Sequence, residues 1–208
     1  MDKNIKIAVI GGTGKAGKHL VKQLISQGFK LRVLLRNPDK FEFPQNQIER
    51  IVGDVTNYDS VFSLVTGCDV VISTLGQSKG DSPVFEIAAQ NLVRAMNLQK
   101  ISRYIVLTGL TLDTPFDKKR FNTKFKSSLM KILFSSIIKD KQKEYETLFS
   151  SDLDWTIVRV PFIELSESKG RVAVSLIDCP GSKISSTDLA CFLLDQISSN
   201  VFVRKAPF

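Results

Sequence analysis

The chain has little of what metal and disulfide sites require. Its 208 residues include one histidine, His19, and three cysteines, Cys68, Cys179 and Cys191, which share no short spacing. An odd number of dispersed cysteines does not form a disulfide framework, and a single histidine excludes a multi-histidine metal site within one chain. We therefore expect no metal, a structural role for His19, and a reducing, cytoplasmic location.

Long apolar runs are also missing. The longest, Leu129 to Ile138, is interrupted by Lys131, and it is about half the roughly 20 residues that a membrane-spanning helix needs. The first strand pattern begins almost at the N-terminus, which leaves no room for a cleavable signal segment. We expect a soluble protein without a transmembrane segment.

What is present is enough apolar material for a substantial core. With 208 residues, 43% of them apolar, the chain predicts one domain over residues 1–208. The net charge of +8 favours an anionic ligand. It does not separate a phosphorylated cofactor from nucleic acid or a lipid surface.

Short β-branched or leucine-rich runs alternate with helical patterns along the chain. The predicted strands are Ile5 to Ile10, Leu31 to Leu35, Ile48 to Val52, Val70 to Ser73, Tyr104 to Leu107 and Thr156 to Val160. The predicted helices between them include Lys15 to Gln27, Tyr58 to Val65 and Phe85 to Leu98. This alternation predicts an α/β fold of the Rossmann type, a doubly wound parallel sheet with helices on both faces and strand order 3-2-1-4-5-6.

Beyond Pro161 the pattern is less regular. We predict a strand over 171–176, a helix over 188–197 capped by one of the three residues before it, and an edge strand over 201–203. Because residues 161–208 are too few for an independent substrate domain, we expect them to form a small C-terminal wall on the substrate side of the pocket.

A glycine-spaced loop joins the first predicted strand to the first predicted helix. Glycines at 11, 14 and 17 remove β-carbons that would hold a pyrophosphate away, and the following helix offers free N–H groups and its positive dipole end. The loop therefore predicts a dinucleotide phosphate site. Its contacts are expected from Gly11, Thr13, Gly14, Lys15, Ala16 and Gly17.

Arg36 follows the second predicted strand, where a NAD-binding protein would usually carry an acid. A guanidinium there suits the extra phosphate of NADP(H), with help from Lys40 and from Lys15 in the loop. The sequence thus predicts NADP(H) in preference to NAD(H). A solvated surface charge is the alternative interpretation of Arg36.

Two further strand ends carry residues suited to the adenosine half of the cofactor. Asp54, beside Val55, follows the third strand and can reach the adenine amino group, although an ordinary turn aspartate is the alternative. Thr74, Leu75 and Gly76 follow the fourth strand, where a glycine lets backbone lie against the adenosine.

Several segments together resemble a known family. They are Gly11-x-x-Gly14-x-x-Gly17, Arg36, Gly53-Asp54-Val55, the run Leu153 to Pro161, and Ile184-Ser185-x-x-Asp188-Leu189-Ala190. The chain resembles the atypical short-chain dehydrogenases/reductases over essentially its whole length. It is similar to the NAD(P)H-binding proteins related to flavin and biliverdin-IXβ reductases, and more distantly to nitrogen-metabolite-repression regulators.

The resemblance implies roles for residues at the nicotinamide end. Thr108 matches a position facing the nicotinamide, and Pro161, Phe162 and Ile163 match the segment that flanks it. Lys141 matches a site where relatives carry lysine or histidine, which makes it a candidate to supply a proton or hold an acidic substrate. An ordinary strand-end threonine and a solvated lysine face remain the alternatives for Thr108 and Lys141.

One departure from the superfamily concerns its catalytic tyrosine. Conventional members use Tyr-x-x-x-Lys, in which the lysine lowers the pKa of the tyrosine. Here Tyr58, Tyr104 and Tyr145 are followed four residues later by phenylalanine, threonine and phenylalanine. Ordinary carbonyl chemistry therefore lacks its usual acid.

Residues 118–139 combine seven lysines and arginines with apolar residues at helical spacing, namely Phe121, Phe125, Leu129, Ile132, Leu133 and Ile137. This predicts one basic amphipathic helix. A lid over the substrate pocket, packed by its apolar face, competes with a surface for an anionic membrane or a protein partner. We do not expect a nucleic-acid partner, because no zinc-finger or RNA-recognition signature accompanies the helix.

Two functions follow from these features. The first is an NADPH-dependent reductase that transfers a hydride to a flat conjugated small-molecule acceptor, of the flavin, quinone or tetrapyrrole type, without the tyrosine dyad. The second is a nonenzymatic NADP(H)-sensing regulator that presents the basic helix to a protein partner. Carbonyl reduction with substitute acids is a third, weaker hypothesis.

Overall fold

The computed structural model describes residues 4–44, 48–77, 82–167 and 170–208. Six strands form one parallel sheet in the order β3-β2-β1-β4-β5-β6, which confirms the predicted doubly wound α/β fold. They are β1 (Lys6–Ile10), β2 (Lys30–Leu35), β3 (Ile48–Val52), β4 (Val70–Ser73), β5 (Arg103–Gly109) and β6 (Asp154–Val160). Two short strands, β7 (Phe162–Glu164) and β8 (Lys183–Ser185), pair in parallel beside it.

Six α-helices cover the sheet in the described part of the chain. They are α1 (Lys15–Ser26), α2 (Tyr58–Val65), α3 (Phe85–Gln99), α4 (Phe121–Leu133), α5 (Ser135–Phe149) and α6 (Ser186–Asp195), with a short 3-10 turn at Pro38–Lys40. Ser185 caps α6, because its Oγ accepts a hydrogen bond from the Asp188 amide at 3.0 Å. The helix consequently begins two residues before the predicted start.

The core consists of two apolar layers, one on each face of the sheet. Along β1, Ala8 and Ile10 contribute to the layer under α2, α3 and α5, whereas Ile7 and Val9 contribute to the layer under α1 and α6. Successive strand residues point to opposite faces. Burial on both faces explains why the strands read as continuous apolar runs rather than as alternating ones.

The C-terminal segment differs from the prediction. Residues 201–203 form a turn, and the chain after it runs beside β6, where the Arg159 amide donates to the Pro207 carbonyl at 2.8 Å. Residues 171–176 contain no strand, although Ser175 and Phe208 exchange backbone hydrogen bonds of 3.1 and 2.7 Å. The tail thus covers the edge of β6 that would otherwise be exposed.

The predicted single helix over 118–139 is also wrong. The helical path breaks at Phe134, whose φ of −131° and ψ of 39° lie outside the helical region, so α4 and α5 are separate. The break reorients α4, and its Thr123 and Ser127 are buried while Phe121 and Phe125 are 81% and 63% exposed. The apolar face was expected to pack against the pocket, but its two phenylalanines face outward. No helix in the described ranges is both long and apolar enough to cross a bilayer.

Candidate functional site

A cleft of about 1570 Å³ lies where the strands of the main sheet end. Its wall contains the carboxyl ends of β1, β4, β5 and β6 and the residues after β2 and β3, which is where doubly wound sheets bind ligands. Most predicted site residues meet in it. They are Gly11, Thr13, Gly14, Lys15, Ala16, Arg36, Asp54, Val55, Thr74, Leu75, Gly76, Thr108, Lys141, Pro161, Phe162 and Ile163. Gly17 and Lys40 are not among the described residues that line it.

The glycines of the loop are needed for two different reasons. Gly11 has a φ of +77°, and a β-carbon there would lie 2.6 Å from the Thr74 carbonyl oxygen. At Gly17 a β-carbon would lie 2.0 Å from the Gly11 carbonyl oxygen. Gly17 therefore permits the loop to close on α1, which corrects the expectation that it makes room for a ligand. Gly14 borders the cleft, and its nearest obstacle would be the Gly11 oxygen at 3.3 Å.

The amino end of α1 is suited to an anion. Gly14 is the N-cap residue and has no side chain to satisfy the first amides, and the first turn contains no acidic residue. The free backbone N–H groups and the positive end of the helix dipole both favour a negatively charged group at this position. Lys15 adds a cation on the cleft side.

Arg36 and Asp54 lie in the same part of the cleft. Arg36 is exposed directly after β2. The Asp54 carboxylate accepts hydrogen bonds from the Thr56 amide at 2.9 Å and the Thr56 hydroxyl at 2.6 Å. Partial burial alone would raise the pKa of Asp54, but these bonds and the Arg36 charge lower it below its ordinary value. Asp54 therefore stabilises a turn and also presents a carboxylate to the cleft.

Two threonines line the floor of the cleft. Thr74 follows β4, and its hydroxyl donates to the Ile10 carbonyl at 3.2 Å, which ties that strand end to the glycine loop. Thr108 is buried near the end of β5, with only 7% of its surface exposed. Its place in the cleft wall agrees with the position that the family resemblance implied.

Lys141 is not part of a solvated face. Its Nζ lies 2.7 Å from Glu144 Oε2 and 3.8 Å from the centre of the Phe85 ring, and both charged residues are buried. Lys139 and Lys143, on either side of it in sequence, are exposed. Burial raises the pKa of Glu144, while the Lys141 charge opposes that rise. The cleft therefore contains a buried cation with a single strong partner carboxylate.

Asp140 holds α5 against the start of α3. Its carboxylate accepts hydrogen bonds from the amides of Val84, Phe85 and Glu86 at 2.8, 2.7 and 3.2 Å. A helix N-terminus leaves such amides without partners, so this remote carboxylate acts as the cap. No local sequence signal identifies it, because the capping residue lies on another helix.

The sequence interpretation missed part of the cleft wall. Side chains from both sides of the helix break contribute to it, namely Met130, Phe134, Ile137 and Ile138, together with Thr111 and residues 82–85. The four apolar residues have the spacing of one helical stripe, which was a usable signal. The predicted apolar face included Ile137 but not Met130, Phe134 or Ile138.

Tyrosine is absent from the described residues that line the cleft. Tyr104 is almost fully buried, and burial raises the pKa of its hydroxyl. Tyr58 lies under the Arg94 guanidinium, 4.1 Å from it. The three-dimensional structure thus agrees with the sequence, which lacks the tyrosine dyad.

Arg159 has a structural role in β6. It is fully buried and its guanidinium nitrogen lies 2.7 Å from both carboxylate oxygens of Asp117. Two further nitrogens donate to the Ala206 carbonyl, which attaches the tail to β6. This ion pair belongs to the core of the protein rather than to the cleft.

The comparisons with known proteins agree with this geometry. A family model described as NAD(P)H-binding matches residues 11–200, so the chain belongs to that family. The chain is 26% identical over 178 residues to the chloroplastic protein TIC 62 of Arabidopsis thaliana, covering 74% of this chain and 26% of that protein. It therefore spans about a quarter of the length of that relative.

Solved structures show the same fold. A short-chain dehydrogenase/reductase of Veillonella parvula in complex with NADP has a TM-score of 0.82 at 15% identity, covering 98% of this chain and 93% of that one. ChuY, an anaerobilin reductase of Escherichia coli, has a TM-score of 0.79 at 18% identity, covering 97% and 95%. The protein is therefore a member of the NAD(P)H-binding family, with a Rossmann fold like that of the short-chain dehydrogenases/reductases.

Proposed function

We propose that the protein is an NADPH-dependent reductase of a flat conjugated acceptor of the flavin, quinone or tetrapyrrole type. The observation that carries the proposal is the size and lining of the cleft. At about 1570 Å³ it exceeds the roughly 300 to 1,000 Å³ of common single-ligand pockets. One end is polar around Arg36 and Asp54, and the other is apolar around Phe134 and Phe162. A cofactor and a second flat molecule fit this arrangement.

The polar end suits the adenosine diphosphate half of NADPH. The glycine loop and the amino end of α1 would receive the pyrophosphate. Arg36 would bind the 2′-phosphate, with Lys40 contributing charge from outside the cleft wall. Gly17 would act indirectly by letting the loop close. Adenosine contacts are proposed for Asp54, Val55, Thr74, Leu75 and Gly76.

The opposite end suits the nicotinamide and the acceptor. Thr108, Pro161, Phe162 and Ile163 would contact the nicotinamide, which supplies the hydride when the cofactor is bound. Apolar side chains from α4 and α5 would hold the acceptor against it and exclude water. Binding and orientation would then provide most of the rate acceleration.

Lys141 is the proposed proton donor at this end, with Thr108 orienting the acceptor or the cofactor amide. Lys141 would give up a proton from its ammonium group to the acceptor as the acceptor is reduced, and a proton from solvent would then restore the ammonium. Glu144 Oε2, 2.7 Å from the Lys141 Nζ, holds this side chain in position. The same cation would attract an acidic acceptor such as a tetrapyrrole carboxylate.

The test is oxidation of NADPH, and separately of NADH, against flavins, quinones, biliverdin and simple ketones. We expect turnover with at least one flat acceptor, faster with NADPH, and none with the ketones. Tight NADPH binding with no turnover of any acceptor would eliminate the reductase proposal.

A nonenzymatic NADP(H) sensor is the second candidate. It is favoured by α4, which borders the cleft through Met130 and carries exposed phenylalanines on its outer face. Residues 118–139 would then bind a protein partner differently in the NADP⁺ and NADPH states. Equal partner affinity in both states would contradict this function.

We retain the single-domain organisation over 1–208 and a cytoplasmic location as parts of the proposal. The odd number and dispersed spacing of Cys68, Cys179 and Cys191 are the basis for expecting a reducing environment. Fluorescent tagging of the full-length protein tests the location, and limited proteolysis that yields no stable subfragment would support one domain.

A further inference from the structure

The outer face of α4 carries exposed aromatic side chains that do not line the cleft. Phe121 and Phe125 lie one turn apart, with ring centres 6.5 Å apart and planes inclined by 19°, so they form a continuous apolar ridge. Phe121 is 81% exposed and Phe125 is 63% exposed. Phe116, in the loop before the helix, is also exposed. We call the pair Phe121 and Phe125 the α4 ridge.

Cations flank the ridge and no acid interrupts it. Lys118, Arg120 and Lys124 are exposed beside the phenylalanines. The chain from 118 to 139 contains seven lysines and arginines and no aspartate or glutamate. A surface that combines protruding aromatic rings with cations is suited to the boundary between anionic headgroups and lipid chains.

The acidic residues nearest to the ridge in sequence form ion pairs with basic side chains of the protein. Asp113 lies 2.8 Å from the buried Lys119, and Asp117 is paired with Arg159. Asp178 lies 3.7 Å from Arg120, whose side chain nevertheless remains 88% exposed. The local field around the ridge is therefore positive.

From these observations we propose that the α4 ridge docks the protein on an anionic lipid bilayer, with Phe121 and Phe125 inserted into the headgroup boundary. A protruding ridge needs no complementary pocket in its partner, which distinguishes a bilayer from a protein. Nucleic acid would be contacted mainly by cations along a concave or extended path, whereas here two strongly exposed apolar rings accompany the exposed cations. The docking goes beyond the proposed reductase function and does not depend on it.

The experiment is flotation of the full-length protein with phosphatidylcholine vesicles that contain or lack phosphatidylglycerol. We expect binding to the anionic vesicles only, and weaker binding as salt is raised. Phe121→Ser and Phe125→Ser should each weaken binding about tenfold, because each removes one phenyl ring from the interface. Lys124→Glu should weaken it by about fivefold or more, because it replaces an attractive charge by a repulsive one.

Matched controls use exposed residues far from the ridge. Leu98→Ser alters a side chain of 64% exposure near the end of α3, and Lys30→Glu makes the same charge change at the start of β2. Both should bind vesicles like the parent protein, and circular dichroism verifies that all variants are folded. Equal binding to both vesicle types overturns the proposal. A loss of vesicle binding in the control variants as large as in the ridge variants also overturns it. The same holds if the ridge substitutions change only self-association of the protein or its binding to duplex DNA.

Discussion

Gly17 and Gly14 provide the sharpest test of the loop geometry, because the same substitution is expected to act on different properties at the two positions. In Gly17→Ala the new β-carbon would meet the Gly11 carbonyl oxygen at 2.0 Å, the Gly11 carbonyl carbon at 2.8 Å and the Gly12 α-carbon at 2.9 Å. All three are backbone atoms, so no side chain can rotate away. Either the loop or α1 must shift.

The magnitude for Gly17→Ala follows from two opposed terms. Overpacking costs about 3 kcal/mol, and the better helix propensity of alanine returns about 1 kcal/mol. The net loss of about 2 kcal/mol corresponds to a Tm lower by roughly 4 to 8 °C for a chain of this size. Urea unfolding followed by circular dichroism measures the loss directly.

In Gly14→Ala the only close neighbour is the Gly11 oxygen at 3.3 Å, and the φ of −72° is ordinary for alanine. Stability should remain near the parent value. The methyl group would point where the pyrophosphate is proposed to lie, so NADPH affinity should fall about 10- to 100-fold through loss of one charge-assisted hydrogen bond. Fluorescence titration with NADPH gives this number.

Gly181→Ala is the control for both positions, because the nearest described atom to a β-carbon there is the Lys183 carbonyl oxygen at 3.8 Å and Gly181 is not among the described residues that line the cleft. If the Gly17→Ala protein has the same free energy of unfolding as the parent, and the Gly14→Ala protein has the same NADPH affinity, the roles proposed for the two glycines are wrong. A Gly14→Ala protein that loses stability as much as Gly17→Ala would also refute the division of roles.

Six other substitutions test the rest of the site. Arg36→Ala should lower NADPH affinity about 10- to 100-fold and leave NADH affinity unchanged. Lys40→Ala should change the ratio of NADPH affinity to NADH affinity much less. Equal effects of Arg36→Ala on both cofactors would contradict a 2′-phosphate contact. Lys141→Met should lower acceptor turnover about 100-fold without weakening NADPH binding, as steady-state kinetics and titration will measure. Asp140→Ala removes the cap of α3 and should lower the free energy of unfolding by about 2 kcal/mol, with a smaller loss for Asp140→Asn; a parent-like urea midpoint would exclude the capping role. Burial raises the pKa of Glu144 above its ordinary value of 4.5, so the folded state retains this proton to higher pH than the unfolded chain. The stability linked to it is lost as pH rises, and Glu144→Gln should flatten that fall in a urea series.

The local patterns of the sequence were sufficient for the main sheet and for placing most of the candidate cofactor-binding residues along the cleft. Strands buried on both faces appear in the sequence as continuous apolar runs. Helices long enough to cross between parallel strands connect them almost always in the right-handed sense. Because parallel strands end at a common edge, residues placed directly after them meet there. Gly14, Arg36, Asp54 and Thr74 could be placed for that reason.

Contacts between distant segments decided the remainder. The surroundings of Lys141 depend on how α5 packs against α3, and that packing is held by three hydrogen bonds to Asp140 from another helix. The tail of the chain pairs with β6 through backbone groups, which carry no sequence signature. Hydrophobicity alone assigned the phenylalanines of α4 to the inside.

The sequence by itself determined the fold and the positions of the candidate phosphate-binding residues, since both depend on local periodicity and on residues at strand ends. Only the tertiary structure decided that Lys141 is a buried cation of the cleft, that Gly17 serves loop closure, and that Phe121 and Phe125 face outward. The physical reason is that burial and the pairing of charges arise from long-range packing, and packing can select either stripe of an amphipathic helix.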